Sequence, residues 1–135
     1  MFDHLSIGVT DLDRAMAFYE AVLAPLGIVR AALYDDPAAT RSAGFGPQDA
    51  DPAQTPPFWL EERKGAPIGC PPGTHLCFKA KDRAAVHAFH AAGLNAGGTD
   101  NGAPGPRPAY GPDYYAGFLL DPDGWRIEAV TFSAT

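Results

Sequence analysis

The chain has 135 residues, 46% of them apolar and 19% charged, a length and composition that suit one folded domain and argue against a disordered chain. Ten Lys and Arg stand against 16 Asp and Glu, a net charge of −6, and the longest basic run is Arg63-Lys64, so no nucleic-acid partner is expected. No stretch approaches the ~20 apolar residues of a membrane span, Met1-Phe2-Asp3-His4 carries no secretory signal, and two cysteines make no disulfide framework; a soluble cytoplasmic protein is the expectation.

In chain order, His4 to Val9 alternates, with Leu5, Ile7 and Val9 on one face and Phe2, His4, Ser6 and Gly8 on the other, which predicts a strand. Asp11 or Asp13 then caps a helix that runs to about Leu26. Its stripe is Ala15, Phe18, Tyr19, Val22 and Leu26, and Gly27 ends it. Strands follow near Ile28–Tyr34, Arg41–Phe45 and Pro57–Glu62, the last two separated by a Pro-rich loop. The plan then starts again, with a strand over 75–80, a cap at Asp82, and a helix to about Ala92 that stops at Gly93. A Gly/Pro-rich loop over 99–113 reads as a lid. Strands Tyr114–Leu120 and Trp125–Phe132 close the chain, joined by the turn Asp121-Pro122-Asp123-Gly124.

This second start is a repeat. Residues 4–27 align with 75–98 without a gap, so that His4 meets His75, Asp11 meets Asp82, Phe18 meets Phe89 and Gly27 meets Gly98. The prediction is an α+β fold in a single domain, residues 1–135. It consists of two tandem βαβββ modules, about 1–65 and about 72–135, forming a curled mixed sheet around a cleft with the helices outside.

Strand parity picks out candidate ligands. His4 lies opposite Leu5, Ile7 and Val9; His75 lies opposite Leu76, Phe78 and Ala80; Glu128 lies opposite Ile127 and Ala129. If the apolar faces pack under helices, all three polar groups point into the cleft. Two imidazoles and one carboxylate on strands form a set that holds a divalent metal and leaves positions open for substrate. Zn, Ni, Mn and Fe all accept it. The plainer reading of each histidine is a half-buried ring bonded to a neighbour, and it is the repeat that favours the ligand.

Further candidates line the same face or the loop. Tyr110, Tyr114 and Tyr115 can donate hydrogen bonds, or Tyr115 can act as a general acid, against simple aromatic packing. Arg107 can grip a carboxylate or phosphate, against a solvated loop Arg. Arg126 shares the parity of Glu128 and can pair with it, Ser6 and Cys77 share the parity of the two histidines, and Trp59 can wall a flat ligand. Trp125, beside the turn, reads as surface or interface, and His87 and His90 lie on the second helix, away from the cleft.

The motifs His4-x6-Asp11-Leu12-x2-Ala15-x2-Phe18-Tyr19, Gly73-Thr74-His75-Leu76 and Phe118-x2-Asp121-Pro122-Asp123-Gly124-x2-Ile127-Glu128 together resemble the vicinal oxygen chelate superfamily. That group includes glyoxalase I, extradiol dioxygenases, fosfomycin-resistance thiol transferases and metal-free bleomycin-binding proteins. The resemblance implies a metal-dependent lyase, isomerase or dioxygenase with a small-molecule substrate. His4, His75 and Glu128 match the family's metal positions, and homodimers are common in it. Glyoxalase I usually has a fourth ligand, a carboxylate that also serves in catalysis, and Trp59 stands at that position here. Glu61 shares the parity of Trp59 two residues on, and it and Tyr115 are the remaining candidates to move a proton. The alternatives are a metal-free binding or sequestration protein and a thiol transferase.

Overall fold

The computed structural model describes residues 1–135. Strand β1 (Leu5–Val9) buries Ile7 and Val9 as the alternation requires. Asp11 caps helix α1 (Leu12–Leu23) by accepting from Arg14 N–H, which leaves Asp13 to pair with Arg41. A 3-10 turn over Ala24–Leu26 ends at Gly27, whose φ of 72° is left-handed. Strands β2 (Ile28–Tyr34), β3 (Ser42–Pro47) and β4 (Phe58–Glu62) follow where the sequence predicts them.

The second half repeats the plan with β5 (Leu76–Lys79) and helix α2 (Arg83–Asn95), capped by Asp82. The helix does not stop at Gly93. A Cβ there would lie 2.2 Å from Leu119 Cδ1, so the glycine serves close helix–sheet packing inside the helix. The stop comes at Gly97, where a φ of 95° lets Gly98 N–H reach back to the Gly93 carbonyl.

The predicted lid is also corrected. Thr99–Pro106 is a strand, β6, and only the segment after it is a loop. Its glycines and prolines are tolerated because β6 is an edge strand whose pairing with β7 (Tyr115–Leu120) shifts register twice. Strand β8 (Arg126–Thr131) completes the fold.

Each half therefore forms its own four-stranded mixed sheet, in the orders β1-β4-β3-β2 and β5-β8-β7-β6. The α+β class and the tandem arrangement hold. The sheets are two, and they do not close into a barrel. In both, the first and last strands of the half run parallel side by side, and the other pairs are antiparallel.

One hydrophobic core spans both halves and joins Ile7, Val9, Phe18, Tyr19, Phe58 and Leu60 to Val86, Phe89, Leu119 and Ile127. Each fully buried aromatic or aliphatic side chain contributes about 1.5–3 kcal/mol of transfer free energy. Helices α1 and α2 pack on each other, and Phe58 meets Phe78 edge-on at 5.4 Å across the halves. The Asp121–Gly124 turn then docks on the first half. Tyr19 donates its buried hydroxyl to Asp121 Oδ2 at 2.8 Å, Thr10 and Arg14 bind Asp123, and Trp125 Nε1 donates to Gly8 O at 2.8 Å. Trp125 is thus an interface residue between the halves of one chain. No helix is long and apolar enough to cross a membrane.

Candidate functional site

The parallel pairing of β5 and β8 sets Cys77 beside Glu128, with His75 just before the strand on the same face. His75 Nε2 lies 3.1 Å from Glu128 Oε2. The carboxylate is 1% exposed, yet it is fully engaged. Its Oε1 accepts from the Tyr114 hydroxyl at 2.6 Å. Burial, and then this bond to Glu128, pushes the Tyr114 phenol well above its ordinary range, so it stays protonated and remains a donor. Burial and the same carboxylate push the Cys77 thiol up to about 12, which keeps it a neutral thiol at physiological pH. His75, Tyr114 and Glu128 line a recess of about 660 Å³ over the second sheet, with Asn101, Tyr110 and Arg126 also on its walls.

The first half builds the same geometry with different chemistry. Ser6 lies beside Trp59 in the parallel pair β1–β4, as Cys77 lies beside Glu128. Under the repeat His4 answers to His75, Ser6 to Cys77, and Trp59 to Glu128. The opposing strand compensates. Gly44 faces Trp59, where a Cβ would come within 2.9 Å of the indole, while Phe118 faces Glu128. Trp59 Nε1 donates to Pro56 O at 2.7 Å, and its ring stacks on Tyr34 with centroids 5.7 Å apart and planes 16° from parallel. A second recess of about 910 Å³ lies over this sheet.

The three predicted ligands do not converge within one chain. The strands at which they lie belong to two different sheets. His75 and Glu128 meet over the second. His4 stands at the head of β1, half-exposed, with Nδ1 2.7 Å from Asp3 Oδ1. No group of three or more His, Cys, Asp or Glu able to hold a metal forms in the chain.

The two candidate proton carriers are elsewhere. Tyr115 belongs to the opposite face of β7, where its hydroxyl bonds His87 Nε2 at 2.7 Å and Arg83 covers its ring. Nothing in the pattern of apolar residues separates it from Tyr114, and one residue reverses the face. Glu61 is held by Arg63 at 2.5 Å, one repeat of the strand beyond Trp59.

Arg126 does not pair with Glu128. It reaches Cys70 Sγ at 3.3 Å and Pro71 O at 3.4 Å, and so ties down the segment before His75. Arg107 folds back on its own strand, donating to Ala103 O at 2.8 Å and stacking over Phe118 at 5.3 Å. Tyr110 packs edge-on against Tyr114 at 5.3 Å. His90, on the helix side as expected, bonds Asp100 at 2.9 Å. The sequence reading missed Tyr34, whose ring stacks on Trp59 from the edge strand β2.

A family model described as the Glyoxalase/Bleomycin resistance protein/Dioxygenase superfamily matches residues 1–129. A solved glyoxalase/bleomycin resistance protein from Albidiferax ferrireducens T118 is 34% identical, with 96% of this chain and 98% of that chain covered and a TM-score of 0.74. Glyoxalase I from Zea mays is 25% identical with a TM-score of 0.75, and 96% of this chain covers 45% of the maize chain. This chain thus spans less than half of the maize enzyme. No functionally curated protein matches in sequence.

Proposed function

The chain belongs to the glyoxalase/bleomycin resistance protein/dioxygenase superfamily, and from that premise we propose a small metal-dependent enzyme of lyase, isomerase or dioxygenase type whose site is completed between two copies of the chain. The observation that carries the reading is the His75–Glu128 pair, an imidazole nitrogen and a buried carboxylate oxygen 3.1 Å apart on the floor of an open recess. Their donor types fit Zn, Ni, Mn or Fe, and two protein groups leave room for a third. That third is His4 of a second copy. Its Nδ1 is taken by Asp3, which leaves Nε2 of this half-exposed ring as the nitrogen available to a ligand. The length of the maize enzyme supports the same reading, since two copies of this chain match it better than one.

A bound divalent ion would polarise two neighbouring oxygens of a substrate and stabilise charge developing on them. The chain's own residues shape the rest. Tyr114 locks the Glu128 rotamer through Oε1 and leaves Oε2 to the metal side. Asn101 and Arg126 stand on the recess wall, where they can orient polar substituents of a small substrate.

Metal content after purification without chelators or a His-tag tests this. The native chain is expected to hold a divalent metal, and His4→Ala, His75→Ala and Glu128→Gln each to lose it. Mixing separates the two geometries. His4→Ala and Glu128→Gln chains, unfolded and refolded together, regain about a quarter of the native sites if dimers form at random and each mixed dimer holds one intact site. No recovery on mixing refutes the shared site, and a native chain that takes up no metal after addition of each ion refutes the enzyme reading.

A further inference from the structure

The helix side of the second half holds a cluster that the His75–Glu128 pair does not use. Arg83 and His87 stand one turn apart on α2, and both meet Tyr115 of β7. The Tyr115 hydroxyl lies 2.7 Å from His87 Nε2. The Arg83 guanidinium sits 4.7 Å from the centre of the phenol ring, and its Nε donates to Ser133 O, which holds it there. The nearest acid in sequence, Asp82, is occupied as the helix cap by Ala85 N–H. His87 is exposed and Tyr115 half-buried, so the pair lies at the surface.

The other tyrosines are placed differently. Tyr19 and Tyr114 donate to carboxylates, and burial together with those carboxylates holds both phenols protonated. Tyr34 and Tyr110 are 63% and 68% exposed and pack through their rings on Trp59 and Tyr114. Tyr115 alone has an imidazole at its hydroxyl. An imidazole with its hydrogen on Nδ1 presents Nε2 as an acceptor, and it can take the phenol proton as the oxygen attacks an electrophile. A guanidinium over the ring favours the negative charge that develops on the phenol. Together they make a nucleophile beside its base. We propose that Tyr115 is a nucleophilic modification site that takes an acyl group from a small activated acyl donor, with His87 as its base and Arg83 as its charge partner. The phenol oxygen bonds to the carbonyl carbon and its proton passes to His87 Nε2. The bond to the leaving group breaks with its electron pair, and the departing group takes the proton from His87, leaving a tyrosyl ester. The site is on the face of β7 away from the metal-dependent reaction and needs no metal.

The test is limited acetylation of the full-length chain by N-acetylimidazole in EDTA at neutral pH, with imidazole as the leaving group and peptide mass spectrometry reading the rate at each tyrosine. Access alone would rank Tyr34 and Tyr110 first. Tyr115 is expected to react about tenfold or more faster than either. His87→Phe removes the base, and His87→Gln keeps an acceptor for the hydroxyl without one. Each is expected to slow Tyr115 about tenfold or more and to leave Tyr34 and Tyr110 within about twofold. Arg83→Gln is expected to slow Tyr115 about threefold. Melting curves confirm that the variants fold, and His87→Gln carries the test if another does not. Tyr115 no faster than Tyr34 or Tyr110, a Tyr115 rate unmoved by the His87 variants, or one unmoved by Arg83→Gln overturns the proposal. Because acetylation in EDTA reads no metal, failure here leaves the metal result standing, and the reverse holds too.

Discussion

Trp59 and Glu128 occupy one point of one sheet, built twice. Both lie on the last strand of their half, beside the third residue of the repeat that opens at His4 and His75. In the second half the position holds a buried carboxylate served by a histidine and a tyrosine. In the first it holds an indole laid on a glycine. The backbone has kept the duplication and the side chains have divided the labour. One sheet offers oxygen and nitrogen donors, the other a flat ring. The lesson is that register preserves a position while leaving its chemistry free to change.

Restoring a carboxylate to the first half breaks the comparison most sharply. Trp59→Glu would put the same group at both symmetric points. In a site shared by two copies it adds a fourth ligand beside His4, and metal affinity is expected to rise on the order of tenfold or more. Competition with a chelator measures this. Metal affinity unchanged from native would mean that the first sheet does not face the His75–Glu128 pair of a second copy.

The next effect is on stability and concerns how the halves are held together. Tyr19 and His90 are equivalent under the repeat, and both bind an aspartate of the second half. The partner of Tyr19 is buried Asp121, which also accepts from the N–H groups of Asp123 and Trp125. Tyr19→Phe removes a donor to a buried carboxylate and is expected to cost about 1.5–3 kcal/mol in urea denaturation. A cost near zero would place the docking strength in Thr10, Arg14 and Trp125 instead.

Much of this was legible beforehand. The repeat predicted the two halves, Asp11 and Asp82 the helix starts, and Asp121 to Gly124 the turn. Parity placed His75, Glu128 and Trp59 on the open faces. What parity cannot carry is the relation between two sheets, and so it sent His4 into the same cleft as His75. Composition hid β6, because Gly and Pro at an edge strand look like a loop. It also turned Gly93 into a stop, although Gly93 answers to Val22 and gives it room: a Cβ at Gly93 would sit 3.3 Å from Val22 Cγ1. In both cases long-range packing decided against local preference.

The smallest effect lies at the counterpart of Tyr19. His90 bonds Asp100 Oδ1, which also accepts from Gly102 N–H at 3.0 Å. The backbone bond first, and His90 second, hold the Asp100 carboxyl below its usual range. A carboxylate whose folded pKa is lowered adds stability that is fully present above its unfolded pKa and lost as pH falls through the folded value. The contribution at neutral pH should therefore fade only on the acid side of the usual aspartate range. Asp100→Asn is expected to flatten that acid limb of the melting-temperature profile and to lower the neutral melting temperature less than Tyr19→Phe does, because Asp100 is largely exposed whereas Asp121 is buried. An Asp100→Asn loss equal to that of Tyr19→Phe would mean that the α2–β6 tie matters as much as the docking of the two halves.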